Sequence, residues 1–343
     1  MKTAPSTIAD VARAAGVGVA TVDRVINRRA QVRPATALRV LQAAEALGYR
    51  GAGLIRKRLD EGGGKHRLGF LLQKSGSEFF QLMAQALQQA GREAGGVYSV
   101  QVEYMDDLTP RRVVAQLRAM AGSVDALALV ATEHPVICAA VEALAAEGYP
   151  VFSLVSDLSA TGLAGHAGVD NVKVGRSAAW AISHLGRRPA KVAVMVGSHR
   201  YACQEECETS FRTYFQQHEL ELDVDLLDTL ISLEDRHLAE ETIHELLHRH
   251  PDLTGFYLAG GGIEGVLDGL RALGPEYDFV TVCHDLTPLT RTALADGHVA
   301  MVISHPREAI AGGLVAAMCD ALDGGTGARR CIVDPLLFTP ENI

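Results

Sequence analysis

Residues 7–49 of the chain have the sequence TIADVARAAGVGVATVDRVINRRAQVRPATALRVLQAAEALGY. Thr7, with Asp10 three residues later, has the spacing of a capping box at the start of a helix. The glycines within 16–18 interrupt that helix, and the apolar spacing predicts a second short helix over 19–27. Two short helices joined by a glycine-containing turn are typical of a helix-turn-helix.

A third helix is predicted over 35–47, because Pro34 stands near its start and Gly48 just past its end. The side chains expected to close a three-helix core from this helix are Leu38, Leu41, Ala44 and Leu47. We therefore predict a headpiece over residues 1–50.

Charge separates this headpiece from the rest of the chain. Residues 1–60 carry 11 Lys or Arg against four Asp or Glu, a formal charge of +7, whereas the remaining residues carry −16. A basic module on an acidic body suits phosphate binding, since a wholly acidic chain would be repelled by nucleic acid. On charge and helix pattern alone, a solvated helical cap with incidental arginines stays open as the alternative.

The motifs of the headpiece resemble those of the lactose-repressor/galactose-repressor family. The matching groups are Thr7-Ile8-x-Asp10-Val11-Ala12, Ala15-Gly16-Val17, Ala20-Thr21-Val22, Arg24-Val25-Ile26-Asn27, Val40-Leu41-x-Ala43-Ala44 and Leu47-Gly48-Tyr49. The resemblance implies that the second helix lies in the DNA major groove. The residues then implied to face base edges are Val19, Ala20 and Arg24, with Arg24 as the partner of a guanine. Those implied to lie on phosphates and sugars are Thr7, Thr21 and Asn27, and we add Arg28 from the outward face of the same helix.

Two positions of the headpiece depart from the family pattern. Gly18 and Asp23 stand where the family generally has serines. Because a phosphate would repel Asp23, we expect it to pair with Arg24 or Arg28, or to accept a hydrogen bond from a cytosine. A solvent-facing carboxylate without consequence is the alternative, and the expected outcome is an altered operator preference.

Residues 51–66 are predicted to form a hinge and linker. Leu54, Arg58 and Leu59 lie in a basic segment long enough for one or two helical turns, and three consecutive glycines follow at 62–64. In the family, a hinge helix pushes a leucine into the minor groove. Here Arg58 occupies that place, so Leu54 or Leu59 would serve as the wedge or would contact the second hinge of a dimer.

From residue 67 onward, short apolar runs alternate with amphipathic segments of helix length. The predicted strands are 68–72, 100–104, 126–130, 151–154, 192–196, 255–259, 280–283 and 299–303. This alternation predicts an α/β fold with doubly wound parallel sheets, in two lobes with a ligand cleft between them. The core at 67–343 resembles periplasmic sugar-binding proteins of type I. Family topology places lobe one at about 67–168 and 304–334, and lobe two at about 169–303 and 335–343.

The resemblance also implies which residues contact an effector in the cleft. They are Phe79 and Phe80, whose rings would pack on a sugar, together with Asp157, Asp170, Asn171, Cys207, Asp285 and His305. Carboxylates and amides suit polyols, because each can contact two adjacent hydroxyls. Outside the resemblance, each polar residue would be an ordinary helix cap or turn residue. Cys207 and His305 replace the arginine and glutamine usual in the family, so we expect a re-tuned cavity for a sugar, polyol or related metabolite.

Three further motifs would favour other functions. Residues 244–248, HELLH, have zinc-protease spacing but lie on a helix between predicted strands without a third ligand nearby in sequence. Gly260-x-Gly262-x-x-Gly265 follows a strand and fits a dinucleotide fingerprint, which makes an NAD-linked enzyme an alternative. His199, Cys203 and Cys207 are spaced by four and would form a metal or redox site or, more simply, a buried helix face.

The sequence as a whole predicts a cytoplasmic transcription regulator, a repressor rather than an activator, that forms a homodimer or tetramer. Its expected partners are double-stranded operator DNA and a small polar effector. No apolar run is long enough for a signal peptide or a membrane helix, and six scattered cysteines suggest reduced thiols. No catalytic residue, metal or cofactor is predicted. A solute-binding protein without a DNA role is the competing class, and the headpiece argues against it.

Overall fold

The computed structural model describes residues 6–27, 32, 34–60, 65–187, 190–218, 223–274, 278–327 and 329–343, with the side chains of 34, 35, 38 and 57–60 left aside. These residues form a helical headpiece and two lobes, each built on one β-sheet.

The headpiece contains helices α1 (Ile8–Ala15), α2 (Val19–Asn27) and α3 (Pro34–Ala46). The predicted capping box is present at the start of α1: the backbone N–H of Asp10 donates to Thr7 Oγ1, and that of Thr7 donates to the Asp10 carboxylate. Gly16 ends α1 with a φ of +62°, which glycine adopts at little cost. The helix-turn-helix is therefore fixed by local hydrogen bonds at both ends of α1.

The face of α3 that packs on the other headpiece helices differs from the predicted one. The buried residues of α3 are Ala37, Val40, Ala43 and Ala44. Leu47 follows the helix and is exposed, Leu41 is only partly buried, and the Leu38 side chain lies outside the described residues. Ala44 is buried as predicted, and the small alanines beside it let α3 pack closely against α1 where the prediction had placed leucines.

Helix α4 (Ala52–Asp60) follows the headpiece and packs against it. Ile55 is fully buried in the headpiece cluster, and the Arg56 guanidinium donates to the Glu45 carboxylate at 2.6 Å. A Cβ on Gly51 would lie 2.5 Å from the Tyr49 ring, so glycine is required where the chain turns into α4. The segment predicted as a hinge is thus tied to the headpiece by one buried side chain and one ion pair.

Lobe one contains a six-stranded sheet with strands in the order β12-β5-β4-β3-β1-β2, all parallel. Its first elements are β1 (His66–Gln73), α5 (Glu78–Glu93), β2 (Val97–Met105), α6 (Pro110–Ala121), β3 (Ala126–Leu129), α7 (Pro135–Ala146), β4 (Val151–Leu154) and β5 (Gly165–Val169). Strands β3, β4 and β5 are buried throughout, as expected for a parallel sheet covered on both faces.

Lobe two contains a second sheet in the order β13-β11-β10-β9-β6-β7, with β8 also paired to β6. Its elements are α8 (Asn171–Leu185), β6 (Ala190–Val196), α9 (Ala202–Gln217), β7 (Val224–Leu226), β8 (Leu230–Ile231), α10 (Arg236–Arg249), β9 (Gly255–Leu258), α11 (Ile263–Leu273), β10 (Val280–His284), α12 (Pro288–Ala295) and β11 (Met301–Ser304).

The chain passes between the lobes three times. It enters lobe two after β5, returns to lobe one for α13 (Arg307–Leu322) and β12 (Arg329–Val333), and ends in lobe two with β13 (Leu336–Phe338), which is antiparallel to β11. One hydrophobic cluster contains residues of both lobes, from Phe70 of β1 to Tyr257 of β9. The predicted α/β fold class, with a helix-turn-helix headpiece and a two-lobed parallel core, is confirmed.

Five strands were missed by the sequence prediction. Strand β5 has the sequence GHAGV, whose glycines and histidine interrupt the apolar run that a buried strand usually shows. Gly165 is needed there, since a Cβ would lie 2.1 Å from the Arg329 carbonyl oxygen of β12. Strands β7, β8 and β13 have three residues or fewer, and β12 is only partly buried. Short or half-exposed strands carry too little pattern to be recognised in one sequence.

Candidate functional site

The outward face of α2 presents most of the residues predicted to contact DNA. Val22 and Val25 are buried against α1 and α3, which turns the opposite face of α2 to solvent. The exposed residues of that face are Val19, Ala20, Arg24 and Asn27, and Thr21 is partly buried beside them. Arg28 lies outside the described residues. The headpiece fold therefore displays on one helix a small apolar patch, a guanidinium and an amide.

Two of the predicted DNA-contacting residues also have structural roles. Thr7 caps α1, and its hydroxyl donates to the Asp10 carboxylate at 2.6 Å. The Asn27 side-chain amide donates to Asp23 Oδ1, also at 2.6 Å. Asp23 thus accepts a hydrogen bond from the residue one turn later on the same helix, and this bond orients Asn27 on the outward face. At Gly18, the carbonyl accepts from the N–H of Thr21, but there is no side chain to cap α2.

The hinge residues are only partly described. Leu54 on α4 is 45% exposed, so its side chain is available to a groove or to a second chain. The side chains of Arg58 and Leu59 lie outside the described residues. Ile55, which the sequence prediction passed over, is the residue of this helix that enters the core.

An interlobe cavity of about 380 Å³ lies where strands of both sheets end. It is lined by residues that follow β1, β2, β3, β4, β5, β9, β10 and β11 by one or two positions. The carboxyl ends of parallel strands are the usual place for a ligand in such folds. Six of the eight predicted effector residues line it: Phe79, Phe80, Asn171, Cys207, Asp285 and His305.

Asp157 and Asp170 do not line the cavity, and their predicted contact with an effector is not retained. Asp157 accepts hydrogen bonds from Ser153 and from the Arg330 guanidinium within lobe one. Asp170 is the N-cap of α8 and accepts from the backbone N–H of Lys173. Both carboxylates serve local structure, which is the ordinary role of aspartate after a strand.

Contacts between the lobes close the cavity and involve residues that the sequence prediction missed. The Tyr201 hydroxyl of lobe two donates to Gln73 Oε1 of lobe one at 2.7 Å. Lys74 Nζ donates to the Glu234 carbonyl oxygen at 2.6 Å and lies 3.6 Å from its carboxylate. Burial raises the pKa of Tyr201, so its hydroxyl remains a donor. Gln73 and Lys74 stand at the end of β1, and the rule that ligands meet strand ends would have found them.

Asp285 and His305 form a buried pair on the lobe-two side of the cavity. Asp285 Oδ1 accepts from the backbone N–H of His305 at 3.0 Å and contacts His305 Nδ1 at 2.9 Å. Burial raises the pKa of the Asp285 carboxyl, but the charge and hydrogen bonds of His305 outweigh this and leave the pKa below its usual value. Asp285 also has a φ of +63°, a conformation that residues with a Cβ rarely adopt and that often marks functional sites.

The other polar groups on this wall are held by the protein itself. His284 Nε2 lies 2.7 Å from the Tyr257 hydroxyl, and burial lowers the pKa of His284 to about 4. Burial raises the pKa of Cys203 to about 12 and also raises the pKa of Cys207 well above its usual value, so both thiols stay protonated at neutral pH. Protonated, buried thiols are poor nucleophiles and poor metal ligands.

Comparison with known proteins identifies both parts of the chain. The family model described as bacterial regulatory proteins, lacI family, matches residues 7–51, and the periplasmic binding protein domain model matches residues 68–326. Over its core, the chain belongs to the family of the periplasmic binding protein domain, and its headpiece matches the lacI family model. The recognition made from the headpiece motifs is confirmed.

Curated relatives of this chain are regulators that align with only part of it. The regulator GalR of Salmonella typhimurium strain SL1344 is 33% identical over 112 residues, which are 33% of this chain and 32% of GalR. The regulator GalS of the same species, strain LT2, is 61% identical over 44 residues, 13% of each chain. The sucrose operon repressor of Shigella flexneri is 37% identical over 91 residues, 26% of this chain and 28% of that protein. The chain thus spans about a third of the length of the GalR relatives that it matches.

Two solved structures similar to this chain are ABC transporter solute-binding proteins. A solute-binding protein of Agrobacterium vitis, bound with alpha-D-tagatopyranose, gives a TM-score of 0.73 at 18% identity, covering 81% of this chain and 96% of the other. One from Bacillus halodurans with bound myo-inositol gives 0.69 at 16% identity, covering 81% and 96%. At these identities the likeness shows the fold of the core and no more.

The three competing motifs have structural explanations. A Cβ on Gly261 would lie 2.0 Å from Glu234 Oε2, and one on Gly265 would lie 1.8 Å from the Arg236 carbonyl oxygen. The glycines of 260–265 therefore let Glu234 and α10 pack closely against this loop. Within HELLH, Glu245 pairs with Arg249.

His199 precedes α9 and contacts Glu208 at 2.6 Å, apart from the two cysteines. In the described part of the chain, no group of three or more His, Cys, Asp or Glu is arranged to hold a metal ion. None of the described helices is long and apolar enough to cross a membrane.

Proposed function

We propose that this chain is a sequence-specific, DNA-binding transcription regulator, a repressor controlled by a small polar effector in the interlobe cavity. The observation that carries the proposal is the outward face of α2, which is held on a prefolded helix-turn-helix and joined to a core with a closable cavity. A solute-binding protein without a DNA role would have no use for an exposed recognition helix.

The α2 face supports distinct roles for its residues. Arg24 has the donors to contact guanine O6 and N7 in a bidentate manner, whereas Val19 and Ala20 offer apolar contact to a thymine methyl. Thr7, Thr21, Asn27 and Arg28 would position the helix on phosphates and sugars. Because Asp23 orients Asn27, we expect an operator preference that differs from relatives with serine at that position.

The interlobe contacts support a switching mechanism. An effector that binds both walls favours the closed arrangement, in which Tyr201 reaches Gln73 and Lys74 reaches Glu234. Such a shift requires higher affinity for the closed than for the open arrangement. Closure would move the end of lobe one that follows α4 along the chain, and so change the spacing of two headpieces in a homodimer, each reading a half-site about one helical turn apart. DNA binding places this function in the compartment that holds the chromosome, the bacterial cytoplasm.

The sugar or polyol class of effector is supported by the size of the cavity and by its two phenylalanines. Phe79 and Phe80 form an edge-to-face pair with ring centroids 5.0 Å apart, and Phe79 also contacts the His305 ring. Aromatic faces suit the apolar side of a sugar ring, and the volume is within the range of small-molecule sites.

The experiment that tests the DNA role begins with selection of bound duplexes from a random pool by the full chain. Fluorescence anisotropy would then measure the affinity for the selected sequence and for single-base variants. Arg24→Ala should lose the preference at one base pair, which corresponds to about 1–3 kcal/mol of discrimination. Arg13→Ala is the matched control, since Arg13 is exposed on α1 and pairs with Asp10 away from α2. Failure to select any sequence, or equal specificity of the two variants, would contradict the proposal.

A further inference from the structure

The interlobe cavity is rich in carboxylates. Those that line it are Glu78, Asp106, Glu234, Glu264 and Asp285. Lys74 is the one lysine or arginine among the described lining residues, and it is already bound to Glu234. Burial keeps His284 neutral near pH 7. The cavity is therefore strongly anionic before any ligand enters.

The side-chain amides around the cavity are already used within the protein. The Gln73 amide donates to the Val130 carbonyl, and Gln204 donates to Glu234. The Asn171 amide donates to Glu206 Oε2 at 2.9 Å. Because these amides already donate within the protein, the charged and amide side chains of the walls leave a ligand mainly carboxylate acceptors, with hydroxyls such as that of Ser156 beside them.

His305 provides an independent sign that a ligand atom is expected here. It is 8% exposed and lines the cavity, and its Nδ1 faces the Asp285 carboxylate. The opposite ring nitrogen, Nε2, is buried without a hydrogen-bond partner in the described structure. Because Nδ1 is directed at Asp285, Nε2 is the ring atom left to bind a ligand.

Glu264 is the carboxylate best placed to serve as a counter-ion. It lies in the first turn of α11, where the helix dipole favours a negative charge. Among the described residues it has no hydrogen-bond or ion-pair partner, unlike Glu234 and Asp285. Because no described cluster of three such groups is arranged for a metal ion, a cation with several separated donors fits better.

We infer that the effector is a compact organic cation, namely a primary amine on a hydroxylated body, of the amino sugar or amino polyol class. The ammonium group meets Glu264 and the neighbouring carboxylates, its N–H and O–H groups satisfy the acceptors, and Phe79 and Phe80 cover the apolar side. This inference rests on the proposed function, since it names the ligand class of the same cavity.

The test uses the full chain and two series of probes, each with a six-carbon skeleton in a cationic, a neutral and an anionic form. They are glucosamine, glucose and glucuronate, and 1-amino-1-deoxysorbitol, sorbitol and gluconate. Thermal unfolding and titration calorimetry measure binding. We expect the amine of at least one series to bind at least about tenfold more tightly than its neutral partner, and the acid to bind least. Equal behaviour of the three members in both series, including no binding by any of them, would overturn the inference.

Variants assign the counter-ion. Glu264→Gln should remove most of the advantage of the amine over the neutral probe, and Glu78→Gln should reduce it. Glu308→Gln is the matched control, because Glu308 is an exposed first-turn glutamate of α13 outside the cavity. An undiminished advantage in both cavity variants would overturn the inference. DNA affinity measured on the same samples keeps the two proposals apart: its absence contradicts the regulator, whereas the order of the probes decides only the ligand class.

Discussion

The headpiece and the interlobe cavity present opposite chemistry in opposite geometry. The headpiece displays donors and positive charge on a convex helix face, and the residues of that face lie within one short stretch of sequence. The cavity gathers acceptors and negative charge in a closed space, from residues that range from Gln73 to His305. A polyanion fits the first and a donor-rich ligand the second. One chain can hold both because the charges are separated into different folding units.

Salt concentration should change the DNA affinity of the headpiece far more than the ligand affinity of the cavity, and this is the largest difference that we expect between the two sites. Between 50 and 200 mM salt, we expect DNA affinity to fall by about 10³-fold or more, because phosphate binding releases condensed counterions. Affinity for a cavity ligand should change by less than about tenfold, since partly buried charges are screened less. Anisotropy and calorimetry on the same preparation measure both. If both affinities fell by the same factor, the expected difference in salt dependence between the two sites would be wrong.

Replacing a buried isoleucine in the headpiece or in the core should destabilise only the unit that contains it. Ile55 and Ile310 are both fully buried, in the headpiece cluster and in the interlobe cluster. Each change to alanine should cost about 2–5 kcal/mol of stability. Ile55→Ala should unfold the headpiece and abolish DNA binding while leaving the melting temperature of the core unchanged. Ile310→Ala should lower the melting temperature of the core. Calorimetry and hydrogen exchange report both effects. If Ile55→Ala lowered the melting temperature of the core as much as Ile310→Ala, the two units would not be separate.

The hydrogen bond between Tyr201 and Gln73 offers a way to weaken closure alone. Tyr201→Phe leaves the buried Gln73 Oε1 without its donor, which should cost about 1–3 kcal/mol and lower ligand affinity accordingly. Tyr149→Phe is the control, because Tyr149 donates to the Val124 carbonyl within lobe one. Small-angle X-ray scattering should show a more open average shape for Tyr201→Phe only. The same opening in Tyr149→Phe would show that a general loss of stability, and not the loss of the interlobe hydrogen bond, opens the protein.

Acid should affect the cavity wall through His284. Its pKa is lowered to about 4 by burial, so between pH 6.5 and 4 the unfolded chain takes up a proton that the folded chain does not. Stability should therefore fall as the pH drops through this range. His284→Gln should reduce the loss between pH 7 and 5 by on the order of 1 kcal/mol, measured by denaturant titration. His184→Gln, at an exposed histidine of α8, should keep the original pH profile.

The contrast between the headpiece and the interlobe cavity also explains which features could be predicted from the sequence. The capping box of Thr7 and Asp10 and the outward face of α2 depend on neighbours within a few residues, and a local pattern predicts them well. The cavity depends on which strand ends the topology brings together. Phe79 and Asp285 were predicted through the family resemblance. Glu234 was missed because it lies in a turn before α10 and reaches the cavity only through the contact with the glycine loop.

The helical state of α4 has a consequence for the thermodynamics of DNA binding. Ile55 lies in the headpiece cluster, so α4 is held by contacts within the chain itself. A segment that is folded beforehand does not bury new apolar surface by ordering on the duplex, so the heat capacity change of complex formation should be small. The ordering entropy of that segment is also absent from the association step. Operator occupancy in this protein should consequently vary less with temperature than it would with a hinge that folds on DNA.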